Sequence, residues 1–229
     1  MKPMIRWAAV AAATCAFAAQ AGASPVVFSA LNQSDTLLFS ASQDGATLNA
    51  TVKFTLTSWT ATSATFATVV TNSSSGAGGN TLMSFGIDTV TPTLTGASTS
   101  SPAWSAGINA TLPSFQKVDL CIWDSNNCSG GNINDGLGEG ASASFNLLLT
   151  TSGNFLQGIT FASPYGIKFQ DVGRTGQSFE FAGCIQGQDG CGGATTGGTT
   201  VPEPNVLALI AIGALAAGLT RRTPSARRA

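Results

Sequence analysis

Four cysteines, one loop crowded with carboxylates and amides, and a complete lack of histidine set the chemistry open to this chain. Cys121 and Cys128 bracket "CIWDSNNC", and Cys184 and Cys191 bracket "CIQGQDGC". Both segments share a six-residue gap, a Cys-Ile start and a polar, turn-forming interior. Local pairing closes two small loops, each contributing roughly 2–3 kcal/mol by restricting the unfolded chain. Cross-pairing between neighbouring strands uses the same four residues, and spacing alone leaves both arrangements open. A zinc site fits poorly, because it prefers gaps of two to four residues and reduced thiolates.

The loop after the first pair carries Asp124, Asn126, Asn132, Asn134, Asp135 and Glu139. Calcium takes six to eight oxygen ligands from carboxylates, amides and carbonyls, so this loop is the calcium candidate; no other cofactor is expected. The EF-hand template does not fit, since its fifth position falls on Cys128. The competing reading is a disulfide-pinned loop whose Asp and Asn side chains form turns.

Nucleophilic catalysis of the Ser-His-Asp type is excluded without histidine. Glycoside hydrolysis asks for two carboxylates roughly 5–10 Å apart, and no acid here stands in a motif that would select such a pair. Glu180, in "SFEF", reads as a solvent-facing strand residue. The expectation is a non-enzyme. Sugar binding would use exposed aromatic platforms, and Trp104 and Tyr165 are the best candidates, Trp104 because it falls in a stretch that reads as loop.

The elements that hold these residues are strands. In "ATLNATVKFTLTSW" the apolar positions Ala46, Leu48, Ala50, Val52, Phe54 and Leu56 alternate with polar ones over twelve residues, which predicts a strand with one buried face. Further strands are expected at 26–31, 36–41, 63–72, 81–87, 114–123, 143–150, 165–172 and 177–185. Turn clusters at 72–80, 96–107, 126–140 and 174–177 separate them. About nine short strands without an internal helix predict an all-β fold, an antiparallel sandwich or jelly roll.

Charged residues make up only 9% of the 229, while hydrophobic residues reach 43%, which argues for an exported, turn-rich β protein and against disorder. Between residues 24 and 200, Lys53, Lys117, Lys168 and Arg174 face ten acids, leaving a net charge of −6. An acidic domain argues against nucleic acid as a partner.

Both ends read as targeting segments. Residues 1–23 have a basic start, an apolar stretch from Trp7 to Ala19 and a small-residue cleavage site at Ala21-Gly22-Ala23, the pattern of a signal peptide helix. The β domain then covers 24–189, and a Gly/Thr-rich linker covers 190–200. From 201 the chain reads "VPEPNVLALIAIGALAAGLTRRTPSARRA". Val206 to Leu219 are fourteen residues without a charge. As a helix they span about 21 Å, short of the roughly 30 Å hydrocarbon core.

Val201, Pro202, Glu203 and Pro204, the short transmembrane helix, and Arg221 and Arg222 occur in the order that resembles the PEP-CTERM sorting signal. The resemblance implies processing by an exosortase after export through the general secretion machinery. It further implies a transient stay in the inner membrane, and a final place at the cell surface or in the extracellular matrix. Such proteins accompany exopolysaccharide, so exopolysaccharide is the implied partner. The ectodomain, through "SFGID" (84–88) and "CIWDSNNCSGGNINDGLGEG" (121–140), resembles the cistern family of exported PEP-CTERM proteins. That likeness implies no activity.

Overall fold

The computed structural model describes residues 24–188, apart from Ser125, together with Cys191. The signal helix, most of the linker and the sorting segment lie outside the described residues.

Twelve strands form one antiparallel sheet. They are β1 (Val26–Phe28), β2 (Ser34–Gln43), β3 (Ala46–Trp59), β4 (Ser63–Asn72), β5 (Ser75–Gly76), β6 (Gly78–Thr91), β7 (Leu94–Thr99), β8 (Trp104–Leu112), β9 (Gln116–Asp124), β10 (Ser142–Thr151), β11 (Ile159–Val172) and β12 (Gln177–Ile185). Single 3-10 turns at Pro113–Phe115 and Phe155–Gln157 are the only helical residues among those described.

The strand order is β7-β10-β4-β3-β2-β12-β11-β6-β9-β8, with β1 beside β11 and β5 beside β3. β12 joins the two halves of this order. It pairs with β11 along most of its length, but meets β2 only at Cys184–Leu38 and Ile185–Leu37. The two ends of the order, β7 and β8, are consecutive in the chain, and the Thr99 hydroxyl donates to the Trp104 carbonyl across their connection. The sheet therefore curls until it nearly closes on itself, which leaves little free edge for another chain to pair with.

The reason for this curl is the alternation in the long strands. In β3 every second residue from Ala46 to Leu56 is buried. Its ring, Phe54, meets Phe66 of β4 at 6.2 Å and, from the opposite half of the sheet, Phe85 at 6.3 Å and Phe161 at 5.3 Å. Phe28 adds an edge-on contact with Phe66 at 4.9 Å. Such edge-to-face pairs add to the area each ring removes from water.

A second, smaller core lies on the outer face of β6, β9, β11 and β12. Leu112, Phe115, Val118, Cys121 and Cys128 pack there, with Trp123 and Ala182 at the margin. Its floor is a row of small residues in register: Gly107, Cys121, Gly86, Gly166 and Ala182. A Cβ at Gly166 would stand 2.6 Å from Leu112 Cδ2 and 2.7 Å from Phe115 Cδ2, so this layer needs bare backbone beneath it.

Two expectations are corrected by the same packing. The 96–107 stretch, read as a turn cluster, contains most of β7 and the start of β8. Trp104 opens β8 and is 3% exposed, stacked on Phe145 at 5.3 Å. Tyr165 is 0% exposed, and its hydroxyl donates to the Phe161 carbonyl at 2.8 Å. Neither presents a ring face to solvent. The stretch misled because its Gly, Ser and Ala content matches turn composition, while the indole fills the core end.

Candidate functional site

The oxygen-rich loop is held by the strands around it. β9 ends at Asp124, and the Cys121–Cys128 disulfide closes the first part of the connection. The Ser84 hydroxyl, buried beneath, donates to the Cys128 carbonyl at 2.7 Å. Beyond the last β6–β9 rung, Ser84 with Trp123, the ladder changes partner. Leu82 now exchanges both backbone hydrogen bonds, each 2.9 Å, with Leu137 of the loop. The loop thus leaves β6 after Asp124 and returns to it at Leu137. Gly136 permits the return, because a Cβ there would lie 2.4 Å from Thr81 Cγ2 and 2.6 Å from Met83 Sδ.

Buried amides fix the far side. Asn72 donates its side-chain NH2 to the carbonyls of Leu137, at 2.8 Å, and Asn80, at 2.9 Å. Asn80 in turn donates to Glu139 Oε1 at 2.6 Å. These amides carried no signal in the sequence beyond turn composition. They tie the loop to β4 and β6.

Of the six residues proposed for calcium, Asp124 is buried at the end of β9, Asp135 is exposed on the loop, and others are engaged elsewhere. Asp124 follows Leu120 and Ile122 in the alternation of β9 and faces inward at the end of the core, 8% exposed. Asp135 lies close enough for its charge to act on Asp124. Burial, and secondarily that neighbouring charge, push the Asp124 carboxyl up to about 6. Its carboxylate accepts no hydrogen bond from any described residue. Glu139 is occupied by Asn80. Asn132 Oδ1 accepts the Asn134 N–H at 3.1 Å, the turn geometry expected of such loops. Asn126 is exposed. Among the described residues no three of His, Cys, Asp and Glu converge as a metal cluster.

Beside the loop, the outer face carries one further charged group. Lys168 of β11 and Glu180 of β12 are cross-strand neighbours and form an ion pair whose side chains are each 6% exposed. The Ser114 N–H donates to the other Glu180 oxygen at 2.5 Å. Glu180 is therefore a buried, doubly bonded carboxylate, correcting its reading as a wet strand residue. Pairing and the neighbouring cover of Leu112 and Phe115 drew it in.

Both disulfides are local, Cys121 with Cys128 and Cys184 with Cys191. They fit an oxidising compartment. Comparison with family models, with curated proteins and with solved structures finds no match to this chain.

What this arrangement can do follows from its groups. Asp124, mostly buried and under the influence of a second carboxylate, keeps its proton to higher pH than an ordinary acid, as a general acid does. The large exposed hydrophobic side chains among the described residues, Val27, Leu31, Val69, Ile133, Leu148 and Leu156, include no aromatic ring that could serve as a sugar platform.

Proposed function

We propose that this chain is an exported, exosortase-processed protein of the cell surface or extracellular matrix, with a structural or adhesive, non-catalytic role in exopolysaccharide. One observation carries the reading: Pro202-Glu203-Pro204, an apolar run too short for a lasting anchor, and Arg221-Arg222, in that order beneath a signal-peptide pattern. The prolines stop a helix from continuing out of the membrane and keep an extended segment at its surface for cleavage. The arginines hold the other end on the cytoplasmic side. Two local disulfides and a nearly closed sheet support it as features suited to a domain that works outside the cell.

The test is the intact mass and membrane fractionation of the native protein, with and without Pro202-Glu203-Pro204 replaced by alanines. Wild type should lose its arginine tail and leave the inner membrane, while the triple variant should keep both. A wild-type protein that retains the tail in the inner membrane overturns the reading.

Carbohydrate recognition through Trp104 and Tyr165 loses its support, since both rings are in the core. A secreted hydrolase is favoured by a single observation, the Asp124–Asp135 pair with its raised carboxyl. Glycan hydrolysis that disappears in both Asp124→Asn and Asp135→Asn would establish it.

A further inference from the structure

β1 is a short strand that nevertheless contributes to the core. β12 pairs with β11 from Val172 back to Tyr165 and then leaves it for β2. β1 takes the edge of β11 thus vacated, at Phe161 to Ile159. Val26 and Phe28 are buried, and the Phe28 ring meets Phe66 at 4.9 Å and Phe161 at 5.2 Å. Three residues make a brief ladder to hold that ring, and β11 is the one strand that pairs with them among the described residues.

Side-chain amides stand in for the missing second strand. The Gln33 amide donates to the Val27 carbonyl at 2.6 Å and accepts the Ser29 N–H at 2.9 Å. Gln188 does the same two residues before β1. Its Oε1 accepts from the Ser24 nitrogen at 3.1 Å, and its Nε2 donates to the Ser24 carbonyl, also at 3.1 Å. A side chain is needed there because Pro25 has no N–H with which to extend the ladder.

The two glutamines are not equally placed. Gln33 stands at the start of β2, where its backbone carbonyl accepts the Leu56 N–H at 3.0 Å. Gln188 lies past the end of β12, and a turn brings it back to Ser24. Its N–H donates to the Ile185 carbonyl at 3.2 Å, its own carbonyl accepts the Cys191 N–H at 3.0 Å, and the Cys184–Cys191 disulfide closes the turn.

We infer that the Cys184–Cys191 disulfide is a latch for the N-terminal strand: it holds Gln188 where that side chain clasps Ser24, so that β1 stays docked on β11. Opening the latch loosens β1 and the Phe28 ring while the rungs of the long strands remain. The first and last segments of the β domain thus secure each other. A backbone amide and a free amine both donate from the Ser24 nitrogen, so the latch is independent of how the targeting segments are processed.

The experiment is hydrogen exchange by mass spectrometry on the full chain, comparing a peptide that covers β1 with one that covers β4. Losing two ordinary hydrogen bonds should raise the local opening of β1 about tenfold. Gln188→Ala, a surface change that keeps the fold, should speed exchange in β1 by about that factor and leave β4 as in wild type. Replacing Cys184 and Cys191 together by serine should do the same. Gln188→Ala in that serine background should add little, since the disulfide acts through Gln188. Gln186→Ala, at an exposed side chain, should exchange like wild type. Four results overturn the latch: wild-type exchange of β1 in Gln188→Ala, wild-type exchange of β1 without the disulfide, full addition of the two effects, or a loss of protection that reaches β4 when the disulfide is removed.

Discussion

Trp104 stands directly opposite Asp124 in the antiparallel pairing of β8 with β9. Both face inward at the end of the core, the indole stacked on Phe145 and the carboxylate without a hydrogen bond. An apolar ring and an unpaired acid as direct neighbours explain why Asp124 holds its proton to about 6.

The sign of the resulting pH dependence is fixed by that raised value. Well below the ordinary carboxylate value of about 4 the acid is protonated whether folded or not, and stability is complete. As pH rises through 4 to 6, the unfolded chain ionises first, so stability falls and levels off above 6. Urea unfolding should show wild type losing about 1–3 kcal/mol across this window through Asp124, the lower end reflecting water that reaches the carboxylate. Asp124→Asn should lack this component and exceed wild type at pH 7 by a similar amount. An Asn variant that is less stable than wild type at pH 7 would refute the account.

Lys168 and Glu180 should behave as a unit. Removing one partner leaves the other charge buried, so Lys168→Met or Glu180→Gln alone should cost about 3–5 kcal/mol. The double change Lys168→Met with Glu180→Gln should cost clearly less than the sum of the singles. Chemical denaturation of all three variants closes the cycle, and strict additivity would mean the pair does not interact.

The glycine floor gives a steric prediction. Gly166→Ala forces a methyl group into Leu112 and Phe115, and should destabilise by about 1–3 kcal/mol. Gly138→Ala, where a Cβ meets nothing within 4 Å, is the matched control and should change stability by less than about 0.5 kcal/mol. Equal effects at the two positions would contradict the packing described.

Replacing Cys121 and Cys128 together by serine should cost about 2–3 kcal/mol, the loop-closure value for a cross-link of sequence separation 7. A variant as stable as wild type in chemical denaturation would contradict this loop-closure account.

Much of the strand pattern was legible in advance. The expected spans 63–72 and 177–185 coincide with β4 and β12, and β3 follows its alternation through Leu56. Those strands have one buried and one exposed face, so the period of two is written directly in residue type. β7 and β8 escaped because most of their residues are small and half-buried, leaving no strong alternation. The loop was legible only as composition: of its six oxygen donors, Asp124 is buried and Glu139 is held by Asn80.

By itself the sequence determined the all-β class, and the identity of the four cysteines that were to pair. Each follows from residue type and local spacing, which need no distant contact. Tertiary structure alone decided which face each isolated aromatic or acid would take. Trp104 and Tyr165 went inward because ring burial outweighs loop-like neighbours, and Glu180 followed because Lys168 was in register to neutralise it. Asp124 was left unpaired for the converse reason. Its strand ends where the ladder passes to Leu137, and the charge that comes within reach there is Asp135.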